Sequence, residues 1–398
     1  MRSRPDAAGP PSRAALVRAR VFALLQFSVA FWACTYFALV AISGHTYFRS
    51  LAFGLAAAFA LWLVLGSLFS DNEPMPVPDG FLLAAILAWA GWSAVSVAWS
   101  INPAFSRAEL GTEVGWGLAT AGTFYVAARA PAPFRAINAT AIAVAAFLSV
   151  LAVQLLTAPG NAGPEVVLQR SHAGVGAFST LLVLVVPLLP LLVAPRPVGF
   201  GAGPWQVAAA VAVFALLLVA ARLTENRMIW VALAAGFLVA ALLAAWRWRA
   251  RLARAPLRWG AVLLVLLVVL AALFVDAARE RARADFSGRT DVARAIADDP
   301  RLVLWQHTFE RIRERPWTGF GFGKSILREQ LRAETGHPLL LHAHNLFVSQ
   351  WLQTGAVGVA TLLALLAALS CRYWRFLRDP DGTLAAIGLA GLAMLTTF

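Results

Sequence analysis

Apolar stretches of about 20 residues recur along nearly the whole chain, separated by short polar loops. A helix satisfies its own backbone hydrogen bonds, and about 20 helical residues cross the roughly 30 Å of hydrocarbon in a bilayer. Only 13% of the 398 residues are charged, whereas soluble domains are about 25% charged. The sequence therefore predicts an all-α fold, a polytopic membrane helical bundle.

Eleven candidate spans are visible, and because the last is still apolar at Phe398 we expect a twelfth. The eleven run approximately from Val21 to Ile42, Ser50 to Ser70, Phe81 to Trp99, Leu110 to Ala128, Ala136 to Leu156, Gly174 to Ala194, Trp205 to Leu223, Met228 to Trp246, Trp259 to Val275, Leu346 to Ser370, and Leu384 to the end. We expect a nine-span bundle over residues 1–275, a large loop over 276–343 and C-terminal spans over 344–398.

Basic residues predict the orientation of the bundle. Lys and Arg accumulate in short cytoplasmic loops, and with the N-terminus inside, the short loops carry sixteen of them on the cytoplasmic side and five outside. The other twelve lie in the long loop, which this rule does not count. The long loop is then periplasmic in a Gram-negative bacterium, and the protein is a multi-pass protein of the inner membrane.

The net charge of +13 has a membrane explanation. The Arg clusters fall between apolar segments, where they orient the protein and meet anionic membrane lipid. Nucleic acid is therefore not an expected partner. Cys34 and Cys371 lie within or at the end of apolar spans, so the sequence suggests neither a disulfide framework nor a cysteine metal site.

The loop 276–343 contains an amphipathic pattern. Pro300 can occupy the first turn of a helix, and Leu302, Trp305, Phe309 and Ile312 recur at helical spacing before Pro316. This predicts amphipathic helix in the loop, with a basic face, on the membrane surface or capping the bundle. The glycine run from Gly319 to Gly323 that follows is predicted to be a flexible turn.

A short outer loop, Arg222-Leu-Thr-Glu-Asn-Arg227, is the first candidate for a functional site. Ionisable residues near the membrane are costly and tend to be functional. Arg227 opens the next helix, and a guanidinium there suits a phosphate or diphosphate at the outer leaflet. The alternative is an arginine that only extends to the polar interface.

Three histidines lie close together where the loop re-enters the membrane: His337, His342 and His344. A neutral imidazole can accept a proton from a sugar hydroxyl, since His is the usual general base near neutral pH. The alternatives are a helix-start cluster with interfacial hydrogen bonds, or a zinc site, which lacks a nearby carboxylate or cysteine. We expect no metal.

Three segments resemble the O-antigen ligase and polymerase superfamily. The first is Thr-Glu-Asn-Arg227-Met-Ile-Trp; the second is Arg301-Leu-Val-Leu-Trp305, continuing through Arg315-Pro-Trp-Thr-Gly-Phe-Gly-Phe-Gly323; the third runs from His342-Ala-His344-Asn to Gly355-Ala-Val-Gly358. Their order around one large outer loop also matches, over roughly residues 222–358. The chain departs from the family where an acidic residue is common, near Gln353.

The resemblance implies a GT-C-type glycosyltransferase without a cofactor. The expected donor is an undecaprenyl-diphosphate-linked glycan, and the expected acceptor is the lipid A-core of lipopolysaccharide. Arginines would stabilise the charge that develops on the diphosphate, with Arg227 and Arg301 as first candidates and Arg170 and Arg222 next. His344, or else His342 or His337, would act as base in an inverting transfer.

Other functions stay open at this stage. An O-antigen polymerase or a protein O-oligosaccharyltransferase would use the same donor and the same residue types. A lipid or solute transporter is a different class, which would favour charged residues near span midpoints and internal repeats. The spans are nearly free of both features, with Glu113 as the main exception.

Overall fold

A computed structural model of the protein describes residues 13–40, 46–68, 78–194, 196, 199–249, 256–285, 300–335, 342–343 and 345–397. This part of the chain forms helices and turns, with no strand among its residues. The α-helices are α1 Arg13–Val40, α2 Thr46–Leu68, α3 Gly80–Val95, α4 Pro103–Glu109, α5 Trp116–Ala127, α6 Pro131–Leu156, α7 Pro164–Ser171, α8 Val175–Val185, α9 Leu189–Leu192, α10 Pro204–Leu223, α11 Arg227–Arg247, α12 Pro256–Asp285, α13 Pro300–Glu314, α14 Arg328–Thr335, α15 Leu346–Arg378 and α16 Gly382–Leu395.

Eight helical segments of the described chain are long and apolar enough to cross a membrane, and they coincide with eight of the eleven expected spans. The other three expected spans are also helical. The stretch from Leu110 to Ala128 contains a π-helical turn over Leu110–Gly115. The apolar parts of α12 and α16 are short, Leu264–Ala277 and Gly382–Leu395. The protein is an all-α, multi-pass membrane protein.

Contacts between loops and helix ends show which of them lie at the same end of the bundle. At one end of the bundle, Asp79 before α3 accepts from Arg372 at 3.1 Å near the end of α15. At the other end, the backbone N–H of Ile101 donates to the carbonyl of Phe320 in the long loop at 3.0 Å. The long loop therefore packs at the end opposite Asp79, as the expected topology requires.

Several helices approach closely because the residues between them are small. A Cβ added at Gly388 of α16 would lie 2.4 Å from the backbone nitrogen of Leu377, and one at Gly391 would lie 2.4 Å from the ring of Tyr373. Lipid is as apolar as a helix surface, so transmembrane helices associate through close packing rather than hydrophobic transfer. These glycines permit the contact between α15 and α16.

Two buried clusters organise the bundle. One joins α6, α8, α10, α11 and α12 and contains Phe178, Trp230 and Leu270. The other joins α1, α2 and α5 around Val29 and Ala56. The larger cluster supports the helix ends that carry Arg170, Arg222 and Arg227.

Candidate functional site

The corner between α10 and α11 is the segment Arg222–Arg227. Asn226 caps α11, since its side-chain oxygen accepts from the Met228 N–H at 3.1 Å. Its amide nitrogen donates to the hydroxyl of Ser179 on α8 at 2.9 Å. Glu225 adopts a positive φ of 56°, a conformation uncommon outside glycine. The cap and the tight turn together fix where α11 begins.

Arg227 is the first residue of α11 and is half-buried. The first turn of a helix has backbone N–H groups without intrahelical partners and a partial positive charge. A cation is electrostatically unfavourable at this position of a helix, but it adds to the attraction for an anion. The corner therefore combines the guanidinium of Arg227 with the positive end of the α11 dipole, which suits a phosphate.

Arg222 forms an ion pair with Asp276 on α12. Its Nε and Nη2 atoms lie 3.0 and 2.6 Å from the same carboxylate oxygen. The pair joins the end of α10 to α12, so Arg222 has a structural contact of its own. Its role in binding a donor stays a prediction.

Arg170 lies exposed in the last turn of α7, next to a buried histidine that is not among the residues predicted from the sequence. His172 is 6% exposed, and its Nε2 donates to the carbonyl of Leu148 on α6 at 2.9 Å. Its Nδ1 lies 2.6 Å from the Ser171 hydroxyl. Burial lowers the pKa of His172, so the neutral imidazole holds α7 against α6. A lone histidine offered no sequence signal for this role.

The glycine run of the long loop is tightly packed, so the expectation of a flexible turn is wrong. Gly319, Gly321 and Gly323 have φ values of 65°, 110° and 124°, and all residues from 319 to 323 are buried. The N–H of Phe320 donates to the carbonyl of Leu352 at 3.0 Å, and a matching bond follows one residue on. Glycine is required because its backbone adopts positive φ and approaches α15 closely.

Helix α15 is broken at Gly355, where φ is 70° and ψ is −173°. A Cβ there would lie 2.1 Å from the backbone of Trp317. On either side of the break, the N–H of Ala356 and the indole of Trp351 both donate to the carbonyl of Pro316, at 2.8 and 2.9 Å. The loop therefore docks directly into the break in the helix.

The opposite side of the glycine run contacts the turn after α3. The indole of Trp99 donates to the carbonyl of Thr318 at 2.8 Å, close to the backbone bond between Ile101 and Phe320. A Cβ added at Gly321 would lie 2.3 Å from the hydroxyl of Ser100. The run is thus enclosed between two elements that lie more than 200 residues apart in sequence.

Gln353 is a second residue whose importance the sequence did not reveal. Its side-chain oxygen accepts from the buried N–H of Gly323 at 2.9 Å, and its amide nitrogen donates to Ser349 at 2.9 Å. The side chain is 5% exposed. This neutral amide stands near the place where the family often has an acid, and here it holds the end of the glycine run.

Helix α13 begins at Pro300 and ends before Pro316, as expected. Within α13, Leu304, Thr308 and Ile312 are buried, while Leu302 and Phe309 are exposed. The buried side chains pack with residues of α14 and α15. A hydrophobic pattern alone could not identify which stripe of a short helix these neighbours cover.

The histidine segment is described only in part. His337 and His344 lie outside the described residues, as does the side chain of Arg301 in the first turn of α13. Around His342, the carbonyl of the buried Ala343 accepts from the indole of Trp305 at 2.6 Å, and Asn345 caps α15 through the Val348 N–H at 3.0 Å. These bonds anchor both edges of the segment beside α13.

The described contacts therefore build two groups. Arg170, Arg222 and Arg227 lie at helix ends around the larger cluster, and His342 lies in the packed loop beside α13 and α15. Among the residues that the structure describes, no set of three His, Cys, Asp or Glu side chains has an arrangement that could hold a metal ion.

Comparisons with known proteins agree with this region of the chain. Residues 212–363 match the family model described as "O-Antigen ligase". A segment of 79 residues, 18% of this chain, is 30% identical to the "General O-oligosaccharyltransferase" of Acinetobacter baylyi (strain ATCC 33305 / BD413 / ADP1). That segment covers only 14% of the relative's length. Over residues 212–363, the chain is therefore similar to the O-antigen ligase family.

Proposed function

We propose that the protein is an O-antigen ligase that transfers a glycan from undecaprenyl diphosphate to the lipid A-core of lipopolysaccharide. The observation that carries the proposal is the continuous family match over residues 212–363, which includes Arg227, Arg301, the glycine run and the segment around His342. The site would face the periplasm from the bacterial inner membrane, with a cytoplasmic N-terminus, spans in 1–275 and 344–398, and the outer loop 276–343.

The donor would bind through its diphosphate. As the bond between the anomeric carbon and the diphosphate oxygen breaks, negative charge grows on the leaving group, and preorganised donors stabilise that charge. The guanidinium of Arg227 and the positive end of the α11 dipole would supply this stabilisation. Arg301 and Arg170 would add further cations, and Arg222 would contribute from its pair with Asp276. Guanidinium groups provide this stabilisation without a metal or another cofactor.

The acceptor would be activated by a histidine. A sugar hydroxyl of the acceptor attacks the anomeric carbon, its proton passes to a neutral imidazole, and the diphosphate leaves on the opposite face with inversion. His344 is our first candidate for the base, followed by His342 and His337. The described neighbours Ala343 and Asn345 form hydrogen bonds with Trp305 and with the Val348 N–H.

Transfer to protein is a second candidate function. It is favoured by the 30% identity with a protein named an O-oligosaccharyltransferase, and it would replace the lipid acceptor with a Ser or Thr hydroxyl. A polymerase would use another undecaprenyl-linked repeat as the acceptor. The three reactions share the donor and differ only in the hydroxyl that attacks.

Deletion of the gene tests the proposal through gel analysis of lipopolysaccharide. A ligase predicts loss of all O-antigen from lipid A-core, with polymerised glycan accumulating on the undecaprenyl carrier. Lipid A-core carrying a single repeat would identify a polymerase, and intact lipopolysaccharide with unglycosylated protein would identify protein transfer. Full rescue of the deletion by His344→Ala would exclude His344 as the base.

A further inference from the structure

An open cavity lies at the end of the bundle opposite the candidate site. Its volume is about 550 Å³, and it is lined by Trp246, Arg247, Arg249, Arg378 and Pro380. These residues belong to the end of α11 and the segment directly after it, and to the end of α15 and the turn that follows. Three of the five carry a positive charge, so the cavity is strongly basic.

Arg247 is held rigidly between the two walls. Its Nε donates to the carbonyl of Leu377 at 3.0 Å, and its Nη2 donates to the carbonyl of Asp379 at 2.9 Å. Both acceptors are neutral backbone groups at the end of α15. These bonds occupy carbonyl oxygens that would otherwise repel an anion. Because the carbonyls are neutral, they do not cancel the positive charge of Arg247.

The acidic residues nearest to Arg378 in sequence are Asp379 and Asp381, and both accept hydrogen bonds from backbone N–H groups of the turn. A side-chain oxygen of Asp379 accepts from the N–H of Asp381 at 2.9 Å, and Asp381 caps α16 through Thr383 at 2.8 Å. Arg249 and Arg378 are exposed, and in the described part of the chain neither forms an ion pair with a carboxylate. The cavity therefore presents cations to whatever enters it.

An aromatic wall places the cavity at headgroup depth. Trp246 stacks on Trp374 of α15 with ring centroids 4.8 Å apart, and both rings are partly exposed. Tryptophan is enriched where the hydrocarbon meets the headgroups of a bilayer. A ligand in the cavity would meet apolar rings on one side and guanidinium groups on the other.

We propose that this cavity binds a phosphate group, carried either by an anionic lipid of the adjacent leaflet or by a soluble phosphate compound. Guanidinium groups match phosphate oxygens with paired, charge-assisted hydrogen bonds. Basic pockets between transmembrane helices are suited to anionic headgroups. The site is separate from the proposed donor site, so neither proposal depends on the other.

Lipid binding to the full-length purified protein tests the inference. Detergent-solubilised protein is titrated with fluorescent phosphatidylglycerol and, separately, with fluorescent phosphatidylcholine. We expect preference for phosphatidylglycerol, and we expect Arg249→Gln together with Arg378→Gln to weaken its binding roughly 25-fold, about 5-fold for each cation. The double Arg→Lys variant keeps both charges and should retain most of the binding.

Arg196→Gln is the matched control, because Arg196 is exposed in the loop between α9 and α10 but does not line the cavity. Competition by millimolar inorganic phosphate or diphosphate, without preference between the lipids, would identify a soluble ligand. Equal binding of both lipids without phosphate binding would overturn the proposal, as would a folded double Gln variant that binds like the unmodified protein. If the double variant does not fold, Arg249→Gln alone decides the result by the same titration.

Discussion

Arg227 is the side chain on which the proposed chemistry most depends. Its position could be predicted from the sequence, because Asn226 is a favourable cap and an apolar run follows it. The structure adds the bond from Asn226 to Ser179, which links the corner to α8. That contact spans 47 residues, and no local pattern could have indicated it.

Arg227→Ala should reduce glycan transfer roughly 100- to 1000-fold, the usual effect of removing one donor that stabilises a transition state. Arg227→Lys should retain only part of the activity, because an ammonium cannot form paired bonds to a diphosphate. Transfer is measured with purified protein in proteoliposomes. Arg107→Ala, an exposed arginine near the same end, is the control, and normal activity of the folded Arg227→Ala variant would contradict the assignment.

His172 should make stability depend on pH. Because burial lowers its pKa in the folded protein, its contribution is complete above the unfolded pKa of about 6.5 and is lost as the pH falls below that value. His172→Phe removes two hydrogen bonds, a cost of roughly 1–2 kcal/mol near neutral pH. Thermal unfolding at several pH values should show a lower Tm and a weaker loss of stability in acid. An unchanged acid profile would show that His172 does not titrate in this way.

At the scale of elements, the contact between the glycine run and the break in α15 determines how the loop is held. Gly355 combines a positive φ with a close backbone approach, and a side chain in this region of φ and ψ costs about 1–3 kcal/mol before any clash. Gly355→Ala should therefore sharply reduce the yield of folded protein and its Tm. Gly382→Ala, at an open position with no atom within 4 Å of the added Cβ, should behave like the unmodified protein.

Gln353 tests the same contact through a side chain. Gln353→Leu leaves the buried N–H of Gly323 without its acceptor, at a cost of about 1–3 kcal/mol. At acidic pH, the protonated side chain of Gln353→Glu keeps a neutral acceptor for Gly323 and an O–H donor for Ser349, so it should be far less destabilising there than Gln353→Leu. Thermal unfolding of both variants provides the comparison, and equal loss in both would argue against the hydrogen bond to Gly323.

The sequence predicted elements better than their contacts. The start of α13 at Pro300 follows from proline chemistry, but which of its faces is buried depends on α14 and α15. The glycines signalled a turn, yet their packing against Leu352 and Ser100 involves distant residues. Local sequence patterns predict helix periodicity and helix caps. The buried face of α13 and the packing of the glycine run depend on residues that are distant in sequence.

At the scale of the whole molecule, hydropathy was sufficient for the all-α membrane fold. The π-helical turn before α5 shows where composition overestimated the regularity of a span. The two ends of the bundle carry different cationic features. The Arg227 corner lies at the end where the long loop packs, and the Arg247 cavity lies at the opposite end.

Reconstitution of the purified protein in proteoliposomes with an undecaprenyl-diphosphate-linked glycan and lipid A-core, in the presence of chelator, tests the proposed transfer. An O-antigen ligase of this mechanism should form glycosylated lipid A-core and release one undecaprenyl diphosphate for each glycan transferred, with an inverted anomeric centre. If the folded protein forms no such product from these two substrates and the glycan stays on its carrier, the protein is not a ligase of this kind.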